Sequence, residues 1–171
     1  MPLILTSAKN RLSEVEDKVL KLEARAEDAG NRSSRNNIRV IGVPEKVEGN
    51  RMVEFLEAWL STEVAPEGLS PFFTLERAHR VPARPPATGA APRPIVARLL
   101  HFKDRDHILT QARLNGELKI ENSRVMVFPD FTREVQKRRA TYVEVKRRLR
   151  QRGIAYAMMF LARLRVSAAH G

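Results

Sequence analysis

The residues with the clearest chemical capacity lie in one short stretch near the end of the chain. Between Arg133 and Arg152 there are nine Lys or Arg residues and two Glu residues. Apolar side chains recur in the same stretch at spacings of seven, three and four, and they are Val135, Tyr142, Val145 and Leu149. This spacing predicts a folded helix with a buried apolar stripe and a cationic surface. A fixed array of guanidinium groups binds the phosphates of a nucleic-acid backbone, whereas the simpler alternative is a solvated basic face without a partner.

The residue types that catalyse reactions or hold metals are not grouped in this way. No two of the four histidines lie three or four positions apart, as a helical metal site requires; they are His79, His101, His107 and His170. The glycines form no phosphate-binding loop of the GxxxxGK type. Asp104 and Asp106 suit the start of a helix, where they interact with its dipole, better than a nuclease metal site. We therefore predict a protein that is not an enzyme and has no catalytic residue, no metal and no cofactor.

The net charge of +11 over 171 residues is concentrated towards the end of the chain. Residues 1–30 carry a net charge of −1, residues 31–131 carry +3 and residues 132–171 carry +9. Such a charge attracts nucleic acid or an anionic membrane and does not choose between them. The chain has no cysteine for a disulfide framework and no apolar run near the roughly 18 residues that span a bilayer. We expect a soluble intracellular protein.

Residues 5–29 carry a heptad repeat typical of a coiled coil. Its a and d positions combine alanines with larger apolar residues, which we expect to pair chains: Leu5, Leu12, Val15, Val19 and Leu22. Basic Arg11, Lys18 and Arg25 lie at g positions and acidic Glu16 and Glu23 at e positions. Arg11 of one chain would thus meet Glu16 of its neighbour in a parallel coil. The segment from Arg11 to Glu16 also resembles a trimerisation signature. Residues 1–30 are therefore predicted to form a parallel homotrimer, and the alternative is a single amphipathic helix packed on its own domain.

The segment after the heptad predicts a compact α+β domain. Gly30 to Asn37 is polar and predicts a loop with basic residues. The elements expected after it are strand 38–43, helix 50–64 capped by Asn50, strand 72–81, loop 82–94, strand 95–102, a helix from Asp104 to Leu114, turn 115–116 and strand 125–128. This β-α-β-β-α-β order is that of a ferredoxin-like fold.

That fold carries many functions, among them RNA-recognition motifs, metal chaperones and small-molecule regulators. RNA-recognition motifs usually stack bases on aromatic residues of the central strands. The strands expected at the centre, 38–43 and 95–100, contain no aromatic residue. The arginines of the strands and their edges instead favour phosphate contacts, and they are Arg39, Arg77, Arg80, Arg93, Arg98 and Arg113.

Seven segments, taken in order, resemble the first-open-reading-frame protein of the type-one long interspersed element (LINE) retrotransposons. They are RNNIRVIGVPE at 35–45, ERAHRV at 76–81, PRPIVAR at 92–98, ILTQAR at 108–113, FPDF at 128–131, QKRR at 136–139 and FLARLRV at 160–166. Each segment alone is a weak signal, and the ordered set is specific.

The resemblance implies three parts, each with its own role. They are a trimerising coiled coil at 1–30, a non-standard RNA-recognition-motif domain at 31–131 and a small basic α/β domain at 132–171. Within the last part, Arg163 stands where the family has a lysine, and the family's neighbouring proline is replaced by Leu161. The family's C-terminal domain continues into further helices, so we expect the C-terminal domain here to be incomplete.

The family's function is also implied. The protein of this family coats its element's RNA as a trimer in a ribonucleoprotein particle and acts as a nucleic-acid chaperone for retrotransposition. It binds single-stranded RNA and DNA with little sequence preference. The expected location is cytoplasmic particles and also the nucleus, with no membrane partner. The nucleic-acid contacts carried over are Arg35, Arg39, Arg93, Arg98, Arg113, Arg138, Arg139 and Arg163.

A second function class fits the same residues without the resemblance. The chain would then be a coiled-coil scaffold whose basic C-terminal segment binds an anionic membrane or an acidic partner. Loss of binding with salt fits both classes, and competition between single-stranded RNA and anionic vesicles separates them.

Overall fold

A computed structural model describes residues 2–64, 73–159 and 162–167 of the chain. The protein has an α+β architecture with a long N-terminal helix. The contacts divide it into two compact units, Ser34–Asp130 and a second unit made of Met1–Ser33 with Phe131–Gly171. Each unit contains its own strands and helices.

The elements of unit Ser34–Asp130 alternate between strands and helices. They are β1 (Asn37–Ile41), α2 (Met52–Glu63), β2 (Leu75–Arg80), β3 (Ile95–Leu99), α3 (Phe102–Leu114), β4 (Leu118–Ile120) and β5 (Ser123–Pro129). The other unit contains α1 (Pro2–Ser33), α4 (Arg133–Ala140), α5 (Val143–Gln151), β6 (Tyr156–Met159) and β7 (Arg163–Val166).

The strands of the first unit form one antiparallel sheet in the order β2-β3-β1-β5-β4. Strand β1 lies in the middle and pairs with β3 on one side and with β5 on the other. The expected β-α-β-β-α-β order is present, with β4 added as a short edge strand that pairs with β5. The sequence did not predict β4 because three residues are too few to show a period-two pattern. Its presence makes β5 an interior strand.

Side chains alternate between the two faces of this sheet, as the pleat requires. One face packs against α2 and α3 and forms a continuous buried core. Its strand residues include Ile38, Val40, Ile95, Ala97, Leu99, Val125 and Val127. The alternate residues of the same strands are half-buried or exposed, except Asn37, which is buried. We call this second surface the open face.

Two expected helix caps are wrong. Helix α2 begins at Met52 rather than after Asn50, because a turn closed by Gly49 N–H donating to the Lys46 carbonyl occupies the preceding residues. Helix α3 begins at Phe102, so Asp104 lies inside its first turn instead of capping it. A carboxylate in a first turn still interacts favourably with the helix dipole.

Three element boundaries also differ from expectation. The strand expected at 95–102 ends at Leu99 because α3 starts at Phe102. The strand expected at 72–81 spans Leu75–Arg80, and residue 72 lies outside the described residues. Strand β1 ends at Ile41, since Gly42 takes a positive φ of 97° and leaves the extended conformation.

Helix α1 is longer than the heptad. The loop expected from Gly30 is wrong for residues 30–33, because the helix continues to Ser33, and the turn lies at residues 34–36. A Cβ at Gly30 would lie only 3.3 Å from the Cγ2 of Thr132, so a residue without a side chain suits this close approach. Arg32 also pairs with Asp28 one turn earlier and supports the last turn.

The basic segment folds as two helices instead of one. Helix α4 ends at Ala140 and α5 begins at Val143. At the break the Thr141 hydroxyl donates to the Arg138 carbonyl at 2.7 Å, a side-chain bond that competes with the helical pattern. The expected buried stripe is present only in part: Val135 is fully buried, Tyr142 and Leu149 are half-buried, and Val145 is 43% exposed.

Candidate nucleic-acid interface

The open face of the sheet brings several cations together. Arg39 is the middle residue of β1, and Arg98 lies on the neighbouring strand β3, two residues beyond the Cα partner of Arg39. Arg77 on β2 is the Cα partner of Arg98. Arg124 lies on β5, on the other side of β1. Two of the arginines expected to bind nucleic acid, Arg39 and Arg98, thus share one surface.

Two carboxylates hold the arginines of the inner strands. Arg39 donates from Nε and Nη2 to Oδ1 of Asp130, at 3.2 and 3.1 Å. The amide of Asn37 donates to the other oxygen of Asp130 at 3.2 Å. The Nε of Arg98 lies 2.7 Å from Oε2 of Glu76. These pairs orient both guanidinium groups and neutralise part of their charge.

The outer arginines of the open face have no such neutralisation. Arg77 and Arg124 are exposed and form no ion pair with any residue that the structure describes. Arg124 is not among the contacts expected from the sequence, because the strand expected there begins at residue 125. A period-two pattern extended back to Ser123 would have found it.

An aromatic side chain also lies on the open face. Phe128 on β5 is the Cα partner of Arg39. Its side chain is 46% exposed. The expectation that the central strands lack aromatic residues considered only β1 and β3, and β5 is interior as well because β4 covers its outer edge.

Arg93, another expected contact, is engaged by a carboxylate. Its Nε and Nη2 donate to the two oxygens of Glu45 at 3.1 and 2.9 Å, and its backbone N–H donates to Oε1 at 2.8 Å. These hydrogen bonds, with a further contribution from the charge of Arg80, hold the pKa of Glu45 at about 2. The pair ties the chain after β1 to the chain before β3.

Arg80 is a structural residue rather than a phosphate contact. Its side chain is only 6% exposed. It donates to both oxygens of Glu48 at 2.7 Å, and to the carbonyls of Val43, Pro44 and Arg93. The expectation that Arg80 favours phosphate contact is wrong, because every one of these partners lies within the same unit.

The two remaining expected contacts of this unit lie off the strands. Arg35 precedes β1 and its guanidinium sits 4.7 Å from the ring centroid of Phe102. Arg113 lies in the last turn of α3 and donates from Nε to the Leu109 carbonyl at 3.3 Å. Both are exposed.

In the other unit, Arg138 and Arg139 make defined contacts. Arg138 forms a two-pronged pair with Glu27 of α1, with both distances at 3.1 Å. Arg139 lies 4.4 Å from the ring centroid of Phe131, and burial lowers the pKa of its guanidinium. Arg138 thereby joins α1 to α4 within this unit. Arg163 begins β7 and is exposed.

The remaining cations of the two basic helices are held to different degrees. Glu134 pairs with Lys137, and Glu144 pairs with both Arg147 and Arg148. Within the described ranges, ion pairs are absent for Arg133, Lys146, Arg150 and Arg152.

The seam of α1 is uncovered along its length. No residue of this helix is buried. The expected pairing residues are all exposed, and they are Leu5, Leu12, Val15, Val19 and Leu22, with Arg11 and Glu16 beside them. An apolar stripe on a helix of 32 residues thus has no partner within the described part of its own chain.

Among the described residues there is no cluster of three or more His, Cys, Asp or Glu side chains that could hold a metal ion. In the same residues, no helix is long and apolar enough to cross a membrane. The chain matches no protein-family model, and its comparison with curated proteins gives no match.

Proposed function

We propose that this protein binds single-stranded RNA, and also single-stranded DNA, through its phosphate backbone and with little sequence preference. In the fuller form of the proposal, the protein acts as a homotrimeric nucleic-acid chaperone that coats the RNA of a LINE-type retrotransposon in a ribonucleoprotein particle. The sequence resemblance supports this form.

The observation that carries the proposal is the cation density on α4 and α5. Nine Lys or Arg residues and two Glu residues occupy positions 133–152, all of it folded. Folded helices hold guanidinium groups at fixed spacings, so binding phosphates costs less conformational entropy than it would in a disordered tail. The resulting affinity comes mainly from the release of counterions.

The sheet adds support of a different kind. Strands β1, β2, β3 and β5 with helices α2 and α3 follow the element order of RNA-recognition motifs. Such domains bind nucleic acid on the face that the helices leave uncovered. Here that face carries four arginines and two carboxylates that pair with them. The arginines are Arg39, Arg77, Arg98 and Arg124, and the carboxylates are those of Glu76 and Asp130.

The uncovered seam of α1 supports the trimer in this proposal. A helix of this length with exposed a and d residues gains stability by pairing with copies of itself. Linking three binding surfaces raises the affinity for a long strand without any new contact, because later contacts become intramolecular.

A pair of substitutions tests the proposal without disturbing a structural contact. Arg150→Ala with Arg152→Ala removes two exposed cations that have no ion-pair partner among the described residues. A control, Arg51→Ala with Lys103→Ala, removes the same charge at the starts of α2 and α3, where Arg51 is the N-cap residue and lies 3.7 Å from Glu54. Each is titrated with a fluorescent single-stranded RNA at several salt concentrations.

We expect the first variant to bind more weakly. A plot of its log affinity against log salt should have a slope smaller in magnitude by roughly 0.7 for each lost phosphate contact. The control should keep the slope of the unsubstituted protein. Equal behaviour of the two variants would show that binding follows total charge rather than this surface. The Arg138 and Arg139 pair is less suitable for this test, because removing Arg138 also breaks the pair with Glu27.

A further inference from the structure

We infer that Phe128 is a base-stacking residue at the centre of the open face, where it takes an unpaired base of single-stranded nucleic acid. The inference rests on the proposed function and adds to it a contact with bases. It assigns a role to a strand that neither the sequence pattern nor the resemblance connected with binding.

The position of Phe128 is set by the added strand β4. Because β4 pairs with the outer edge of β5, Phe128 stands on an interior strand with its ring on the open face. Its neighbour across the ladder is Arg39, and directly opposed residues have Cβ atoms about 5 Å apart. Met126 lies two residues earlier on the same face and is the Cα partner of Ile41. The result is an apolar surface next to a cation.

Exposure singles out this ring from the other aromatic residues. Among the described residues only Phe102 and Phe128 are large aromatic side chains with more than a third of their surface exposed. Phe102, at 37%, has the guanidinium groups of Arg35 and Arg105 at 4.7 and 5.7 Å from its ring centroid. No such cation lies over Phe128 within the described part of the chain.

The surrounding charge indicates what kind of molecule covers the ring. Arg39, Arg77, Arg98 and Arg124 lie on the same face as Phe128. An apolar protein segment gains nothing from this rim, whereas a nucleotide offers a flat apolar base joined to a phosphate. A ring flanked by cations is the arrangement that single-strand-binding proteins use, and stacking there tolerates any base because every base has a flat face.

The test separates the base from the backbone. Two single-stranded oligonucleotides of equal length and charge are compared, one of uridines and one with abasic sugars at every position. The unsubstituted protein should bind the uridine strand more tightly, by roughly 5-fold or more. Phe128→Ala should abolish that preference and leave the salt slope unchanged, since no phosphate contact is lost.

Three further variants keep the result decisive. Phe102→Ala removes the other exposed ring and should retain the preference. Phe128→Leu keeps an apolar side chain without the ring. If the alanine variant unfolds, the leucine variant shows whether the preference for the uridine strand needs the ring. Phe128→Trp should show fluorescence that the uridine strand quenches and the abasic strand does not, with Trp59 of the unsubstituted protein giving the background.

Different outcomes would contradict either the stacking inference or the proposed function on which it rests. Equal binding of the two strands by the unsubstituted protein, with a steep salt slope, would contradict stacking and leave phosphate binding standing. A loss of oligomer by Phe128→Leu without a change in base preference would make this face a contact between copies. Absence of salt-dependent binding to either strand would contradict the proposed function itself.

Discussion

Arg80 and Arg77 lie three residues apart on β2 and have opposite surroundings. Arg80 is buried and makes five hydrogen bonds, two of them to Glu48. Arg77 is exposed and has no ion-pair partner among the described residues. The sequence presents the two as equivalent strand arginines. The two differ in which residues the loops bring near them. Four of the five hydrogen bonds of Arg80 join residues more than 30 positions apart, which no local pattern encodes.

Replacing Arg80 should therefore destabilise the fold far more than replacing Arg77. Arg80→Ala leaves the carboxylate of Glu48 without its main partner in a buried setting, which typically costs about 3–5 kcal/mol of unfolding free energy. Arg77→Ala, at an exposed position on the same strand, should change it by no more than about 0.5 kcal/mol. Urea unfolding followed by circular dichroism measures both. Similar values for the two variants would contradict the structural role of Arg80.

Glu45 gives a pH dependence whose sign is fixed. The hydrogen bonds from Arg93 lower the pKa of Glu45 from 4.5 to about 2 in the folded chain. A carboxyl whose folded pKa is depressed stabilises the fold above pH 4.5, and that contribution is lost as the pH falls from about 4.5 towards about 2. Unfolding free energy measured across this range should fall more gently in Glu45→Gln than in the unsubstituted protein. Glu54→Gln, which changes an exposed carboxyl on α2, should keep the original profile.

At the scale of elements, long periodic patterns were predicted well and short or interrupted ones were not. The heptad predicts a helix at 5–29, and α1 spans Pro2–Ser33. The strands at the sheet centre were predicted to within three residues because alternating apolar residues mark a half-buried strand. Strand β4, with three residues, carries no such signal, and the break between α4 and α5 interrupts a continuous apolar spacing.

Reversing one charge tests the oligomeric role of α1. In a parallel trimer Glu16 faces Arg11 of the neighbouring chain, so Glu16→Arg should place like charges together and weaken assembly. Glu14→Arg makes the same change of charge at an outer position of the heptad and should assemble normally. Sedimentation equilibrium at roughly tens of micromolar, a concentration suited to a short seam, measures both. A monomeric unsubstituted protein would rule out the trimer for this chain.

At the scale of the whole molecule, the charge lies on two different folded surfaces. One is the open face of the sheet in unit Ser34–Asp130, and the other is formed by α4 and α5 in the second unit. For the second surface, the charge density and the apolar spacing predicted a cationic helix, which the structure divides into two helices. It predicted only part of the first, because Arg124 and Phe128 join Arg39 and Arg98 only through the pairing of β5 with β1.

The central claim is that these surfaces serve a single-stranded nucleic acid rather than an anionic membrane. The most direct measurement is a competition, in which a fluorescent single-stranded RNA bound to the protein is challenged with vesicles rich in anionic lipid at matched phosphate concentration. We expect the protein to stay on the RNA, because the strand fits arginines at fixed spacings on both surfaces. The affinity should fall linearly on a log–log plot against salt. Displacement of the RNA by the vesicles would contradict the account and favour a scaffold whose basic helices bind membranes.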